Sequence, residues 1–440
     1  MSSVPGAAPP PAFLFGGLRE HATRRVLDHE IHARPSEELR APARASHLAV
    51  LSGPDGAAAD RAHVAELCWR YGVEPPASNE VFHAIDLGPL RLRWERHTEF
   101  SSYTFLRAEP DQDDPFAAPP IASVPSDWLA GLPGEVLVAT HVILESGGSA
   151  GRDLANMQAV FGTTNIAGSR VLGGAAVAWS DFRIHPDGFD RLLVADHGLS
   201  PRQAGRLVQR LLEIETYRML AMLGFPNARR SSVELNGVER RLAEITGRMT
   251  GNEAPDAEAK LLTELSDLAA EVERGAATST YRFAASRAYR TLVERRIEEL
   301  REERIEGLQT LEEFMERRLA PAMRTVEAVR ERQSQLSERV ARATGLLRTR
   351  VDVTLQQQNQ ALLASMNRRA DLQLRLQETV EGLSVVVLSY YLVSLLGYLV
   401  KALSKAGLPL NPEIVSGAAV PVALAALTWK IGRMRKALAH

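Results

Sequence analysis

The sequence has almost no cysteine. Of its 440 residues only Cys68 is a cysteine, so an internal disulfide is excluded and a reducing compartment is predicted for the soluble part. Cys68 lies in an amphipathic stretch, where a small core residue is favoured over a nucleophile. The net charge is −2, so no overall field attracts nucleic acid, and we expect no nucleic-acid partner.

Several signatures of chemistry are missing as well. The sequence has no Walker loop, no GxGxxG between a strand and a helix and no CxxC. It therefore predicts no cofactor and gives no case for an enzyme. The first 17 residues have no basic region and are broken by prolines, so we expect a disordered N-terminus (residues 1–17) and not a secretory signal.

Long apolar runs are absent until residue 382, and two then follow. Residues 382–400 and 414–429 are uncharged runs of 19 and 16 residues. They predict a two-helix transmembrane hairpin in a lipid bilayer (residues 382–440). Neither run contains Asp, Glu, Lys, Arg or His, which argues against proton-coupled transport. Ser384, Tyr391 and Tyr398 recur at intervals of seven on one helical face, so they would line a pore or pack helices together.

Basic residues flank the hairpin and predict its orientation. Arg368, Arg369 and Arg375 precede it, and Lys430, Arg433, Arg435 and Lys436 follow it. The connecting loop has only Lys401 and Lys405, offset by Glu413. Because basic flanks stay on the cytoplasmic side, we expect a multi-pass protein of the cell inner membrane with both termini in the cytoplasm.

Residues 18–226 predict a cytoplasmic α/β sheet domain, so the fold class is α+β. Strand patterns occupy residues 47–53, 82–87, 90–97, 103–106, 136–144, 171–184 and 189–196, and helices occupy Ala57–Tyr71 and the stretch from Pro201 to residues 224–226. Ser200 is the predicted helix cap. The apolar run 136–144 predicts a central strand, and the Gly173-Gly174 pair predicts a bulge or close packing within a strand.

Residues 227–381 predict a long helical stalk without strands. Breaks are expected near residues 251–255, at Gly275 and at Pro321. The last helix, about 60 residues from Pro321, would be on the order of 90 Å long. Its apolar residues recur every eleven residues, and that stripe must pack on the preceding helices or on copies of the chain. The sequence thus predicts a homo-oligomer formed through the stalk.

The densest polar cluster is His29-Glu30-Ile31-His32-Ala33-Arg34-Pro35. Glu30, His32 and Arg34, joined by the nearby Arg44 and His47, are the candidate ligand-binding residues. The spacing is not HExxH, so a metal is not assigned. A structural turn that anchors His32 and Arg34 to the sheet remains an alternative.

Two weaker clusters lie further along the chain. Both have a structural explanation, as a half-solvated sheet face and as an ion pair to a neighbouring helix. Their members are Trp179, Asp181, His185 and His197 in the strand region, and Glu213, Tyr217 and Arg218 in the helix after Pro201.

Three stretches carry a resemblance to a known family: residues 30–35, residues 42–48 and the stretch from Leu372 through the first apolar run. The chain resembles this bacterial family of membrane-anchored proteins (domain of unknown function 3422) over nearly its whole length. The family brings no activity to transfer. The architecture is also similar to CorA-type magnesium channels, which implies a possible divalent cation. Their Gly-Met-Asn hallmark is replaced here by Gly397-Tyr398-Leu399.

These observations leave three hypotheses. The first is a membrane-anchored oligomeric protein whose cytoplasmic domain binds a ligand or partner and is coupled by a long helix to the hairpin. The second is a CorA-like cation channel or transporter. The third is a membrane-bound enzyme that uses the cluster near residue 30.

Overall fold

A mixed sheet organises the N-terminal part of the protein. The computed structural model describes residues 20–25, 27–28, 36–147, 154–251, 255–405 and 412–438. Within these residues nine strands form one sheet in the order β2-β3-β4-β1-β5-β8-β7-β6-β9. The strands are β1 Ala43–Leu51, β2 Phe82–Asp86, β3 Arg91–Arg96, β4 Phe100–Ala108, β5 Glu135–Ser146, β6 Ala167–Val171, β7 Ala176–Ser180, β8 Asp190–Asp196 and β9 Glu303–Arg304.

One face of the sheet is strongly apolar. It is covered by α1 (Ala57–Tyr71), α2 (Ser126–Ala130) and α3 (Leu154–Phe161). Side chains alternate between faces along a strand, so Leu48 and Val50 of β1 share this face with Trp94 and Phe105. Trp128 of α2 completes the cluster and is fully buried.

The opposite face is covered by α4 (Pro201–Met222), which packs on β5. A capping box begins this helix: the Ser200 side chain meets the backbone of Gln203, and Gln203 Oε1 accepts the Ser200 backbone N–H at 2.9 Å. The cap therefore matches its prediction. Leu207, Leu211 and Ile214 form the buried side of the helix.

Three helices pack beside the sheet in the first of two compact units, which comprises Met1–Gly247 and Glu264–Arg342. They are α5 (Gly224–Met249), α6 (Pro255–Leu300) and the beginning of α7 (Leu311–Lys405). Arg332 of α7 donates to Glu239 of α5, and Ser279 of α6 donates to Gln333 of α7. Buried Leu311, Met323 and Leu336 form the apolar side of α7 in this unit.

The structure corrects three sequence expectations. Residues 171–184 are not one strand: β6 ends at Val171 and β7 begins at Ala176, with Gly173 and Gly174 in the turn at φ +70° and +81°. These glycines supply positive φ instead of a bulge. Residues 227–381 also contain a short strand, β9, paired with β6.

Two predicted helix breaks are wrong. α6 continues through Gly275, and a Cβ there would lie 3.6 Å from Gln333 of α7, which is an ordinary van der Waals distance. α7 begins at Leu311 and contains Pro321, because packing of its apolar side outweighs the lost backbone hydrogen bond. The predicted break near residues 251–255 is confirmed, since α5 ends at Met249 and α6 begins at Pro255.

The central strand and the first helix match their predictions. β5 is the fifth of the nine strands described, and α1 has the predicted bounds Ala57–Tyr71. Both elements have strong local signals. The signal of β5 is a continuous apolar run, and that of α1 is helical spacing followed by Gly72 at φ +69°.

The second compact unit comprises Arg248–Thr263 and Ala343–His440. Within the described residues two helices are long and apolar enough to cross a membrane, in Leu311–Leu403 and Glu413–Lys430. The second belongs to α8 (Pro412–Leu438). A Cβ on Gly397 of α7 would lie 3.3 Å from the Ser416 hydroxyl of α8, so a glycine meets a small polar residue where the two helices approach.

Candidate functional site

A row of buried polar side chains crosses the sheet beneath α4. Directly opposite residues on paired strands share a face, and the register joins Arg93 to Thr104, Thr104 to His47, His47 to Thr140, and Thr140 to Asp190. All five residues are at most 8% exposed. Buried polar groups require partners, and this row finds some of them within the sheet and others on α4.

His47 is the centre of the row. Its Nδ1 is hydrogen-bonded to Thr104 Oγ1 at 2.8 Å and its Nε2 to Thr216 Oγ1 of α4 at 3.2 Å. Burial, with a smaller contribution from the positive charge of Arg93, lowers the pKa of His47 to about 3. The imidazole is therefore neutral at physiological pH, with one nitrogen donating and the other accepting.

A pocket opens between this row and α4. It encloses about 580 Å³, including space open to solvent, and its wall contains His47, Arg93 and Thr104 from the sheet. Thr216 and Val208 belong to its α4 wall. The mixture of apolar and convergent polar groups is typical of small-molecule sites.

The chain before β1 forms one rim of the pocket. Glu37 and Leu39 both line it. The Leu39 N–H donates to the Pro201 carbonyl at 3.0 Å, and Glu37 forms an ion pair with Arg91. A Cβ on Gly205 would lie 1.6 Å from the Glu37 carbonyl oxygen, so only glycine lets α4 approach this rim.

An acid pair ends the polar row at β8. Burial and the neighbouring Glu215 raise the pKa of Asp190 well above its usual range. Arg218 Nη2 donates to Glu215 Oε2 at 2.5 Å and lies 3.9 Å from Asp190 Oδ2. One guanidinium faces two buried carboxyls, so the pair retains a proton to higher pH than an exposed acid.

Arg44 and His47 are not brought together. They lie three residues apart on β1 and so face opposite sides of the sheet. Arg44 Nη1 donates to the Ala118 carbonyl at 3.3 Å, and its Nε lies 3.7 Å from Glu109 Oε2. Arg44 thus holds the loop after β4, whereas His47 lies in the pocket. The predicted ligand-binding residues Glu30, His32 and Arg34 lie outside the described residues.

Ser384, Tyr391 and Tyr398 lie on α7 in the second unit. The Ser384 hydroxyl donates to the Val380 carbonyl of its own helix at 2.8 Å. The two tyrosines are 62% and 74% exposed in the single chain. The hydroxyl of Ser384 is therefore used within its own helix, and the aromatic rings are available to lipid or to another helix.

The weaker clusters take up structural contacts. Trp179 packs in an apolar cluster with Ile143, whereas Asp181 Oδ2 is hydrogen-bonded to His185 Nε2 at 3.1 Å. Glu213 pairs with Arg296 of α6, which confirms the expected ion pair to a neighbouring helix. Trp179 therefore packs in the apolar core, whereas Asp181 makes a polar contact with His185.

Sequence reasoning missed four of the five residues of the polar row and two residues of α4 beside it. They are Arg93, Thr104, Thr140 and Asp190 in the row, and Glu215 and Thr216 on α4. A signal was present for Arg93, which alternates with the apolar Leu92 and Trp94 and so had to face the other side of its strand. For Thr104 and Thr140 no local signal exists, because their proximity to His47 follows from strand register.

The comparisons with known proteins add the family and nothing on activity. Among the described residues no group of three or more His, Cys, Asp or Glu side chains is placed to hold a metal ion. No curated protein and no solved structure matches the chain. Residues 19–438 match the model of a family described as "Protein of unknown function (DUF3422)", and the chain belongs to that family.

Proposed function

We propose that this is a membrane-anchored protein whose sheet domain binds a small ligand in the pocket beneath α4. The observation that carries the proposal is the part of the buried polar row that lines that pocket, namely Arg93, Thr104 and His47. A core that served stability alone would be more stable with apolar side chains at these positions. Polar groups that converge on an open pocket are typical of ligand recognition.

The charges of the pocket indicate an uncharged, polar ligand. Arg93 Nε donates to Glu95 Oε1 at 2.5 Å, so these charges neutralise each other. Glu37 and Glu213 are paired with Arg91 and Arg296. Since His47 is also neutral, the pocket offers hydrogen bonds and apolar contacts without net charge.

Native mass spectrometry of the full chain released from membranes tests this proposal. We expect a small-molecule adduct at one copy per chain, lost in Gln209→Trp, which fills the pocket from its α4 wall. Arg206→Trp on the same helix is the matched control, because Arg206 does not line this pocket. Equal adducts in the two variants, or none in the native protein, would contradict the proposal.

We further propose that α7 and α8 form a membrane hairpin in the cell inner membrane, with both termini in the cytoplasm. Apolar side chains on α7 and α8 are largely exposed in the single chain, and lipid would cover them. Leu355, Leu362 and Leu376 recur at multiples of seven and are each more than half exposed. We propose that copies of the chain associate through this stripe.

A CorA-like channel is the second candidate. It is favoured by the continuity of α7, which contains the first apolar segment and extends without interruption from Leu311 to Lys405. Cation flux into liposomes carrying the purified protein, reduced in a Ser384→Ala/Tyr391→Phe variant, is the expected result for a channel. Absence of flux for magnesium and for potassium would rule it out.

A further inference from the structure

A second cavity lies at the end of β7, separate from the pocket beneath α4. It encloses about 1000 Å³, including space open to solvent. Its lining combines an apolar part, with Phe182, Phe314 and Met315, and a cationic part, with Arg183, Arg218 and Arg318. Among the described lining residues three guanidinium groups face one carboxylate, that of Asp181.

The apolar part is built from two stacked rings. The Phe182 and Phe314 rings lie 4.2 Å apart, centroid to centroid, at an interplanar angle of 23°. Phe182 has φ +54°, in the left-handed region that a bulky residue rarely adopts. Such strain persists where the surroundings impose it and is concentrated at functional sites. Here it places the Phe182 ring against Phe314 and beneath the Arg218 guanidinium, 5.4 Å from the ring centroid.

Two of the three guanidinium groups in the cationic part, those of Arg183 and Arg318, are not neutralised by the residues that the structure describes. Arg183 and Arg318 are exposed and form no ion pair with any residue that the structure describes. Asp181 is already engaged: its Oδ1 accepts the Arg183 backbone N–H at 3.3 Å, and its Oδ2 is hydrogen-bonded to His185. Arg218 binds Glu215, but its buried Nε has no hydrogen-bond partner.

We propose that this cavity binds a phosphate ester that carries an aromatic or other apolar group. Arg183 and Arg318 would contact the phosphate oxygens, since guanidinium groups match their geometry. The Phe182–Phe314 pair and Met315 would contact the apolar group. Both parts are required, because a bare phosphate leaves the apolar surface uncovered.

Isothermal titration calorimetry on the full chain in nanodiscs of neutral lipid tests the proposal with three probes. Phenyl phosphate should bind saturably at one per chain, at least tenfold more tightly than inorganic phosphate or phenol. Equal affinities for phenyl phosphate and phenol would overturn the anionic requirement, and no saturable binding of phenyl phosphate would overturn the site.

Substitutions locate the site. Arg318→Ala should weaken phenyl phosphate binding at least fivefold, whereas Arg317→Ala should leave it unchanged, since the neighbouring Arg317 is exposed on the same helix but does not line the cavity. Phe314→Ala should weaken phenyl phosphate binding but leave inorganic phosphate unaffected. Equal effects of Arg317→Ala and Arg318→Ala would contradict the assignment.

A final comparison separates the two sources of such a ligand. Nanodiscs that contain an anionic phospholipid should suppress phenyl phosphate binding if a lipid headgroup is the ligand. Unchanged binding in these discs, together with competition by a nucleoside monophosphate, assigns a soluble ligand. Competition by neither source would overturn the proposed chemical class.

Discussion

At the residue scale, His47 determines how the pocket responds to pH. Two threonine hydroxyls are hydrogen-bonded to the ring, and burial together with the charge of Arg93 lowers its pKa. Both causes oppose protonation. His47 is therefore harder to protonate in the folded protein than in the unfolded chain.

This difference predicts a loss of stability in acid. The unfolded imidazole has a pKa near 6.5 and the folded one near 3. Below pH 6.5 the unfolded chain binds the proton first, so His47 lowers the free energy of unfolding by up to about 1.4 kcal/mol per pH unit until pH 3. Above pH 6.5 the contribution is constant. Denaturant unfolding followed by tryptophan fluorescence at pH 7, 6 and 5 measures it.

The His47→Gln variant is the control for that measurement. It should be less stable at pH 7, because a buried hydrogen bond is altered, but its stability should fall less steeply below pH 6.5. Part of the slope remains, since burial also lowers the pKa of His141 to about 4. Parallel pH curves for the native protein and His47→Gln would refute this account.

In a second prediction, replacing each of two glycines by alanine changes the free energy of unfolding in opposite directions. Gly205→Ala places a Cβ 1.6 Å from the Glu37 carbonyl oxygen and should destabilise the protein by about 1–3 kcal/mol while displacing the pocket rim. Gly237→Ala meets no atom within 4 Å on α5 and should stabilise by about 0.5–1 kcal/mol. Chemical denaturation compares the two; destabilisation by both to the same degree would show that the rim contact is unimportant.

At the element scale, α7 changes character along its length. Leu336 is 1% exposed within the first unit, whereas Leu362 is 59% exposed in the second. The beginning of α7 thus buries its apolar side within the first unit. The part of α7 in the second unit has an apolar stripe that is exposed in the single chain.

Matched leucine substitutions should separate these roles. Leu336→Ala should lower the free energy of unfolding by about 3 kcal/mol, because it leaves a cavity among packed helices. Leu362→Ala should change it by less than about 0.5 kcal/mol but should shift the mass measured by light scattering in detergent toward the monomer. A native protein that is monomeric in this measurement would refute association through the stripe.

The elements were predictable where local signals are strong. Helical spacing located α1, and the Ser200-Pro201 pair located the start of α4. Local rules failed at Gly275 and Pro321, where contacts between helices outweigh propensity. The pocket was less predictable still: His47, Thr104 and Thr216 are distant in sequence, and only strand register and the placement of α4 bring them together.

At the scale of the whole molecule, the single cysteine makes the membrane topology measurable. Cys68 is fully buried, and burial raises the pKa of its thiol to about 11, so it should not react with maleimides. An engineered thiol would then be labelled against a silent background.

We predict that Lys405→Cys is labelled by a membrane-impermeant maleimide added to intact cells and that Lys436→Cys is labelled only after the cells are opened. The reason is that the loop between the apolar helices should lie outside and the basic C-terminal flank inside. The reverse pattern would invert the orientation, and equal labelling of both before lysis would exclude a membrane hairpin.

The two hydrogen bonds that His47 makes beneath α4 also have a common direction. A neutral imidazole donates from one nitrogen and accepts at the other. If Thr104 donates to Nδ1, then Nε2 must donate to Thr216, and if Thr104 accepts, the second bond reverses as well. A ligand that accepts a hydrogen bond from the Thr104 hydroxyl would therefore determine the tautomer of His47. The tautomer in turn determines the orientation of the Thr216 hydroxyl on α4. Proton positions alone would then couple a ligand at Thr104 to α4, with no movement of the backbone.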